Sequence, residues 1–199
     1  MKSTRLEAFS DGVLAIIITI MVLELHAPEG SSFEDLVHTA GLPLLTYVIS
    51  FAYIGIYWTN HHHLFQVVER VDGRVLWTNL HLLFWLSLFP FTTGWMDDTG
   101  LSRVPVLVYG VNLLVAALAY ALLERVLLRS HDPDSRLRRA VGHDTKAVAS
   151  PILYAIGILA ALLGDLLPAH LGVLIALGCY VGVALMWIVP DRRLERTLA

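Results

Sequence analysis

Residues 5–25 have the sequence RLEAFSDGVLAIIITIMVLEL. Its centre, Val13–Leu23, is an almost unbroken aliphatic run, and with its flanks it is long enough to cross the roughly 30 Å of bilayer hydrocarbon as a helix. Yet the segment opens with Arg5, Glu7 and Asp11. Charged groups are costly in hydrocarbon and normally have partners in protein or water. We therefore expect a membrane helix whose polar end is bonded mainly to other helices.

The rest of the chain has the composition of a membrane protein. Of its 199 residues 56% are hydrophobic and 16% are charged, against about 25% charged in soluble domains. The apolar residues fall in blocks of about 20, and only helices satisfy the backbone over such lengths in lipid. The sequence predicts an all-α membrane protein with one six-helix domain over 1–199. The predicted spans are 6–26, 42–68, 75–96, 104–128, 148–167 and 170–189.

The distribution of basic residues gives the orientation. With six spans, both chain ends and the linkers at 69–74 and 129–146 lie on one side of the membrane. That side carries 13 of the 14 Lys and Arg residues, and the other side carries Arg103. Because Lys and Arg are enriched in cytoplasmic loops, both termini are predicted to be cytoplasmic.

The first span has two kinds of surface when it is placed on a helix at 100° per residue. Ser10 and Asp11 fall on the flanks of its aliphatic stripe. Asp11 lies six residues from Arg5, which is too far around the helix for a direct i,i+4 pair. Either the two residues bond to other helices, or Arg5 snorkels to the interface and Asp11 caps the first turn. The stripe itself, an arc of about 100°, holds Arg5, Phe9, Gly12, Ile16, Thr19, Ile20 and Leu23.

Spans two and three offer polar partners at about the depth of Asp11. Neutral imidazoles and carboxamides both donate and accept hydrogen bonds, so they suit a carboxylate or a guanidinium in a low dielectric. We therefore expect a polar network between the first three spans. Its candidate members in spans two and three are Asn60, His61, His62, His63, Asn79 and His81.

The run His61–His63 does not predict a metal site. Consecutive helical residues diverge by 100°, and a helical zinc pair needs i,i+4 spacing, where His62 has only Gln66. The sequence therefore predicts no metal, no cofactor and no enzyme, although nine histidines raise the question of an intramembrane metalloenzyme. The sequence allows two roles for the three histidines, packing between helices and sensing of pH.

The string Arg5-x-x-x-Phe9-Ser10-Asp11-Gly12 opens the first of the six spans. It resembles the signature of the bacterial relatives of the endolysosomal potassium channel called transmembrane protein 175. The resemblance is specific over the first three spans and rests on length and hydropathy beyond them. Further matching residues are Trp58, His61, His62, Leu64, Phe65, Asn79, Leu80 and Leu88–Phe91.

The resemblance implies a cation channel for potassium, with other monovalent cations as alternatives, in the bacterial inner membrane. It implies six helices per subunit, assembled as a homotetramer around a pore lined by the first helix. The hydrophobic constriction would fall on Ile16, with further pore layers at Thr19, Ile20 and Leu23. Such an aliphatic ring can gate by dewetting. The Arg and Asp of the motif would tie the first helix to spans two and three.

A proton-coupled secondary transporter is the alternative. It would need titratable groups at mid-membrane and, in most cases, broken helices or inverted repeats. The middle of the first span carries no ionisable residue, and the chain shows no clear internal repeat. The sequence therefore favours a channel.

Overall fold

Seven α-helices and one turn of 3₁₀ helix form the part of the chain described by the structure, a computed structural model. The described residues are 3–68, 71–130, 145–168 and 170–188. The 3₁₀ turn covers Gly164–Leu166. The helices are α1 (Ser3–Leu23), α2 (Phe33–Gln66), α3 (Gly73–Ser87), α4 (Phe89–Asp98), α5 (Arg103–Ser130), α6 (Thr145–Leu162) and α7 (Leu171–Ile188).

These helices provide six segments that are long and apolar enough to cross a membrane, with α3 and α4 together forming the third. The predicted class, an all-α membrane protein, is confirmed. The predicted linker at 129–146 lies mostly outside the described residues, as do both chain ends.

Several helix bounds differ from the predicted ones. Helix α1 ends at Leu23 rather than at 26, and α6 ends at Leu162 because the chain then tightens into the 3₁₀ turn. Helix α2 begins nine residues before the predicted 42, which adds about 13 Å of helix. A capping box explains the early start: Ser32 Oγ accepts from the Asp35 amide at 3.1 Å, and the Asp35 carboxylate accepts from the Ser32 amide at 3.0 Å.

The proline in the sequence FPF predicts a kink in the third span, and the structure interrupts the helix at Leu88. Helix α3 ends at Ser87, and α4 begins at Phe89 with Pro90 in its first turn. Pro90 has no amide hydrogen, so the α-helical ladder cannot run through this position. The Leu88 amide instead donates to the carbonyl groups of Trp85 and Leu86, and α-helical bonding resumes from Thr92 to Leu88 at 3.0 Å.

One face of α2 carries a row of buried polar side chains through the centre of the helix bundle. Ser50 bonds to Thr93 on α4 at 2.8 Å and to Tyr109 on α5 at 3.0 Å. These bonds matter because a buried hydroxyl without a partner costs free energy in a low dielectric. This row of polar side chains therefore fixes α2 against α4, α5 and α7. Its members are Thr46, Ser50, Tyr53, Tyr57 and His61, and all five are buried.

Helices α5, α6 and α7 approach closely where small residues face Tyr180. A Cβ placed on Gly157 would lie 2.6 Å from Cε1 of Tyr180, and a Cβ on Gly110 would overlap the Tyr180 hydroxyl. Small residues allow such close helix packing in membranes. This half of the subunit forms a tight scaffold, and α1 lies apart from it against α2, α3 and α4.

Candidate functional site

Helix α1 has one face that is packed inside the subunit. This face is mostly aliphatic, and its one polar member is Ser10. The buried side chains recur every three or four residues, which is the spacing of one helix face. They are Leu6, Ser10, Leu14, Ile17 and Met21.

The opposite face of α1 is exposed in the subunit, and it is the stripe identified in the sequence. All seven stripe residues are exposed, including Gly12 and Thr19. A Cβ added to Gly12 would meet no atom of the described residues within 4 Å. The described residues therefore leave this face of α1 uncovered. The exposed fractions of its large apolar side chains are 56% for Phe9, 58% for Ile16, 42% for Ile20 and 78% for Leu23.

The Thr19 hydroxyl is oriented by its own helix. Its Oγ1 donates to the Ile16 carbonyl at 2.8 Å, a common arrangement for threonine in helices. The hydroxyl hydrogen is thus used within the helix. The oxygen lone pairs remain available on the exposed stripe, so this side chain presents an acceptor there.

A chain of hydrogen bonds joins α2, α3 and α1 through Asn79. The Asn79 amide donates from Nδ2 to Ser10 Oγ at 3.0 Å, and Ser10 donates to the Leu6 carbonyl at 2.9 Å. His61 Nε2 lies 2.8 Å from Asn79 Oδ1. Because the Asn79 amide nitrogen is already a donor, its oxygen accepts, and this network assigns the His61 proton to Nε2. All three side chains are buried.

Asp11 makes a second link from α1 to α2. Its Oδ1 accepts from Trp58 Nε1 at 3.0 Å. Helix α1 starts eight residues earlier, at Ser3, so Asp11 is not an N-terminal cap. Of the two readings left open by the sequence, the structure shows bonding to another helix for Asp11.

Glu7 makes a third link that the sequence analysis missed. Glu7 Oε1 lies 2.8 Å from His62 Nδ1, and His62 Nε2 lies 2.8 Å from Gln66 Nε2. The Trp58 ring stacks on the His62 ring at 6.2 Å between centroids. The signal available was the i,i+4 spacing of Glu7 and Asp11, which puts both carboxylates on one side of α1.

Four predicted members of the polar network make no bond in it among the described residues: Arg5, Asn60, His63 and His81. The Asn60 side chain donates to the Ile56 carbonyl of its own helix at 2.9 Å, and the His63 ring contacts the His62 ring at 6.0 Å between centroids. Arg5 is exposed and has no hydrogen bond or ion pair to any other described residue. It lies on the stripe face, away from α2 and α3. His81 is also exposed, and its ring contacts Trp85 of its own helix edge-on at 6.2 Å. Within the described ranges, no group of three or more His, Cys, Asp or Glu side chains is arranged to hold a metal ion.

The fold and this site define a multi-pass membrane protein whose first helix is bonded along one side and exposes an aliphatic stripe on the other. The family model described as "Endosomal/lysosomal potassium channel TMEM175" matches residues 5–90. The chain is 49% identical over 199 residues to a potassium channel of Chryseobacterium sp., covering all of this chain and 98% of that protein. It is 36% identical over 126 residues to a potassium channel of Streptomyces collinus, covering 60% of this chain and 61% of that one.

A solved structure is similar along its whole length. The crystal structure of a lysosomal potassium-selective channel TMEM175 homolog from Chamaesiphon minutus matches with a TM-score of 0.72 and 27% identity. The match covers 99% of this chain and 98% of that one. The chain belongs to the TMEM175 family.

Proposed function

We propose that the chain is one subunit of a potassium-permeable cation channel, a homotetramer with its pore on the central axis. The observation that carries this proposal is the exposed aliphatic stripe on α1, opposite the face that is bonded and packed inside the subunit. Four such stripes facing one axis would form a narrow apolar pore. The relatives that are potassium channels support the ion, and the full-length match to one of them supports the fold of the unit.

The constriction of the proposed pore is a ring of Ile16 side chains. Ile16 lies on the exposed stripe, one turn or so beyond the bonded Asp11. A narrow aliphatic ring excludes water and ions, and a wider one becomes wet and conducts. Ile20 and Leu23 form further apolar layers toward the outer end.

Thr19 is the best candidate for contact with a permeating ion. It is the one stripe residue that carries a hydroxyl group, and this hydroxyl donates to the Ile16 carbonyl at 2.8 Å. Oxygen ligands suit hard cations. Four threonine oxygens close to the ring would replace part of the hydration shell that an ion loses there.

The position of Gly12 supports the proposed assembly of four copies around a central axis. The subunit itself does not require glycine there, because an added Cβ would touch nothing within 4 Å. A glycine on an exposed helix face allows another helix to approach closely. Another copy of α1 provides that neighbour at the cytoplasmic end of the pore.

The membrane context follows from the same proposal. The chain is a multi-pass membrane protein, and we place it in the bacterial inner membrane with both termini cytoplasmic, according to the basic bias of its linkers. Its partners are potassium or another monovalent cation, lipid, and three further copies of itself. The proposed channel needs no cofactor. The proposed pore helix α1 is continuous from Ser3 to Leu23, and the interruption at Leu88 lies in the third span. The pore helix is therefore unlike the broken helices that form the ion site of many transporters.

The test compares two isoleucines that are both exposed in the subunit. Ile16→Asn makes the proposed ring wettable and is expected to raise cation current by about tenfold or more, because each 1.4 kcal/mol removed from a barrier is a factor of ten. Ile156→Asn makes the same chemical change on the exposed face of α6 and should leave current unchanged. Equal effects of the two substitutions, or no effect of Ile16→Asn, would remove Ile16 as the constriction.

A further inference from the structure

The triad Glu7, His62 and Gln66 joins the cytoplasmic end of α1 to α2 through a titratable ring. Glu7 Oε1 and Gln66 Nε2 each lie 2.8 Å from one nitrogen of His62. Each ring nitrogen therefore has its own partner, and one of the partners is an ionisable group on α1.

The triad can hold His62 in both of its protonation states. With Gln66 Nε2 donating to Nε2 of the ring, the neutral imidazole carries its proton on Nδ1 and donates to Glu7. When the ring gains a second proton at Nε2, a flip of the Gln66 amide presents its oxygen as the acceptor. The link to Glu7 then changes from a hydrogen bond with a neutral donor to an ion pair, which is stronger.

Other groups near His62 are compatible with the charged form. Among the described residues, the titratable groups around His62 are Glu7 on α1, Asp11 on α1 through their shared neighbour Trp58, and His61 and His63 on α2. His61 donates to Asn79, the group that α3 contributes to the polar network, and Asn79 carries no charge. Trp58 stacks on the His62 ring, and an aromatic face attracts a cation.

The ring is also accessible to protons. The His62 side chain is 41% exposed and that of Glu7 is 20% exposed. Both lie in the end of the bundle that we place at the cytoplasm.

We propose that His62 and Glu7 form a pH-sensitive clamp that fixes the position of the pore helix. This proposal rests on the proposed channel function. Glu7 lies on the side of α1 away from the stripe, so it is a positioning residue and does not line the pore. At acid pH the ion pair holds α1 firmly and keeps the four Ile16 side chains at a fixed spacing. At alkaline pH the link weakens, the spacing varies more, and the constriction discriminates less between potassium and sodium.

The experiment measures the ratio of potassium to sodium current through the purified protein in a planar bilayer. The pH is kept equal on the two sides and is changed from about 5.5 to about 8, the range in which histidine can act as a switch in proteins. We expect the ratio to fall by about two- to fivefold, because partly exposed ion pairs have modest strength. His62→Gln keeps a hydrogen-bonding side chain but does not titrate, and its ratio should not change with pH.

Two further variants provide a second test of the clamp and a control for it. Glu7→Gln removes the negative charge that pairs with the imidazolium, so it should also make the current ratio independent of pH. This variant replaces His62→Gln in the test if His62→Gln fails to fold. His81→Gln removes an exposed histidine of α3 outside the triad and should keep the wild-type profile. A wild-type ratio that does not change with pH, or a His62→Gln ratio that still does, would overturn the clamp. Absence of cation current at every pH would overturn the channel function itself.

Discussion

Replacing Asn79 tests whether the hydrogen bonds between the first three helices hold α1 in place. In Asn79→Leu the side chain keeps about the same volume but loses both of its bonds, the one to Ser10 and the one to His61. Ser10 keeps its bond to the Leu6 carbonyl. The His61 Nε2–H is left without an acceptor in a buried position, and its Nδ1 already lacks a partner among the described residues.

The expected cost follows from these contacts. A stranded buried donor costs about 1–3 kcal/mol, and measured side-chain hydrogen bonds between membrane helices average about 0.6 kcal/mol. We therefore expect Asn79→Leu to lower the free energy of unfolding by about 2–3 kcal/mol. The assay is reversible unfolding of the purified protein in mixed micelles, followed by circular dichroism, with gel filtration to report the assembly.

The chain provides a matched control in Asn112. This residue is buried on α5, and within the described ranges neither its amide nitrogen nor its amide oxygen has a partner. Asn112→Leu removes two unsatisfied polar atoms, so it should leave stability unchanged or raise it. If both substitutions cost the same free energy, the hydrogen bonds of Asn79 do not stabilise the subunit and the reasoning is refuted.

Three further predictions concern other parts of the molecule. Asp11→Ala leaves the Trp58 Nε1–H without its acceptor, so it should reduce the yield of assembled protein on gel filtration more than it changes selectivity; a stable assembly with altered selectivity would instead place Asp11 in the pore. Gly157→Ala places a Cβ 2.6 Å from the Tyr180 ring and should cost about 1–3 kcal/mol in the same unfolding assay, whereas Gly178→Ala, which meets nothing within 4 Å, should cost nothing. Chelators should leave current unchanged, and a loss of current on adding one would revive a metal site.

The stripe on α1 could be predicted from the sequence because it depends only on helical periodicity. Seven residues spaced at three and four positions define one face wherever the helix lies. The interruption at Leu88, two residues before Pro90, was predictable for a similar reason, since a proline cannot donate to the helical ladder. Local chemistry decides both features.

The partners of the polar residues were less predictable, because they depend on how helices rotate and tilt against one another. Asn79 and His61 were expected in the network and are in it, but His81, only two residues after Asn79, points away from it. Two residues along a helix are 200° apart, so both cannot face the same neighbour. Glu7 was overlooked because its partner His62 lies 55 positions away in the chain.

The early start of α2 was missed for another reason. Hydropathy locates the part of a helix that lies in lipid, but a helix can extend beyond the bilayer. The capping box at Ser32 and Asp35 sets the true start, and it lies in a polar segment.

We claim that this chain forms a potassium channel rather than a proton-coupled carrier. The most direct measurement is the reversal potential of the purified protein in a planar bilayer under a potassium gradient, first at equal pH and then with a pH gradient added. A channel of the proposed kind gives a current whose reversal potential follows the potassium gradient and does not move when the pH gradient is imposed. No current, or a reversal potential that follows the proton gradient, would contradict the claim.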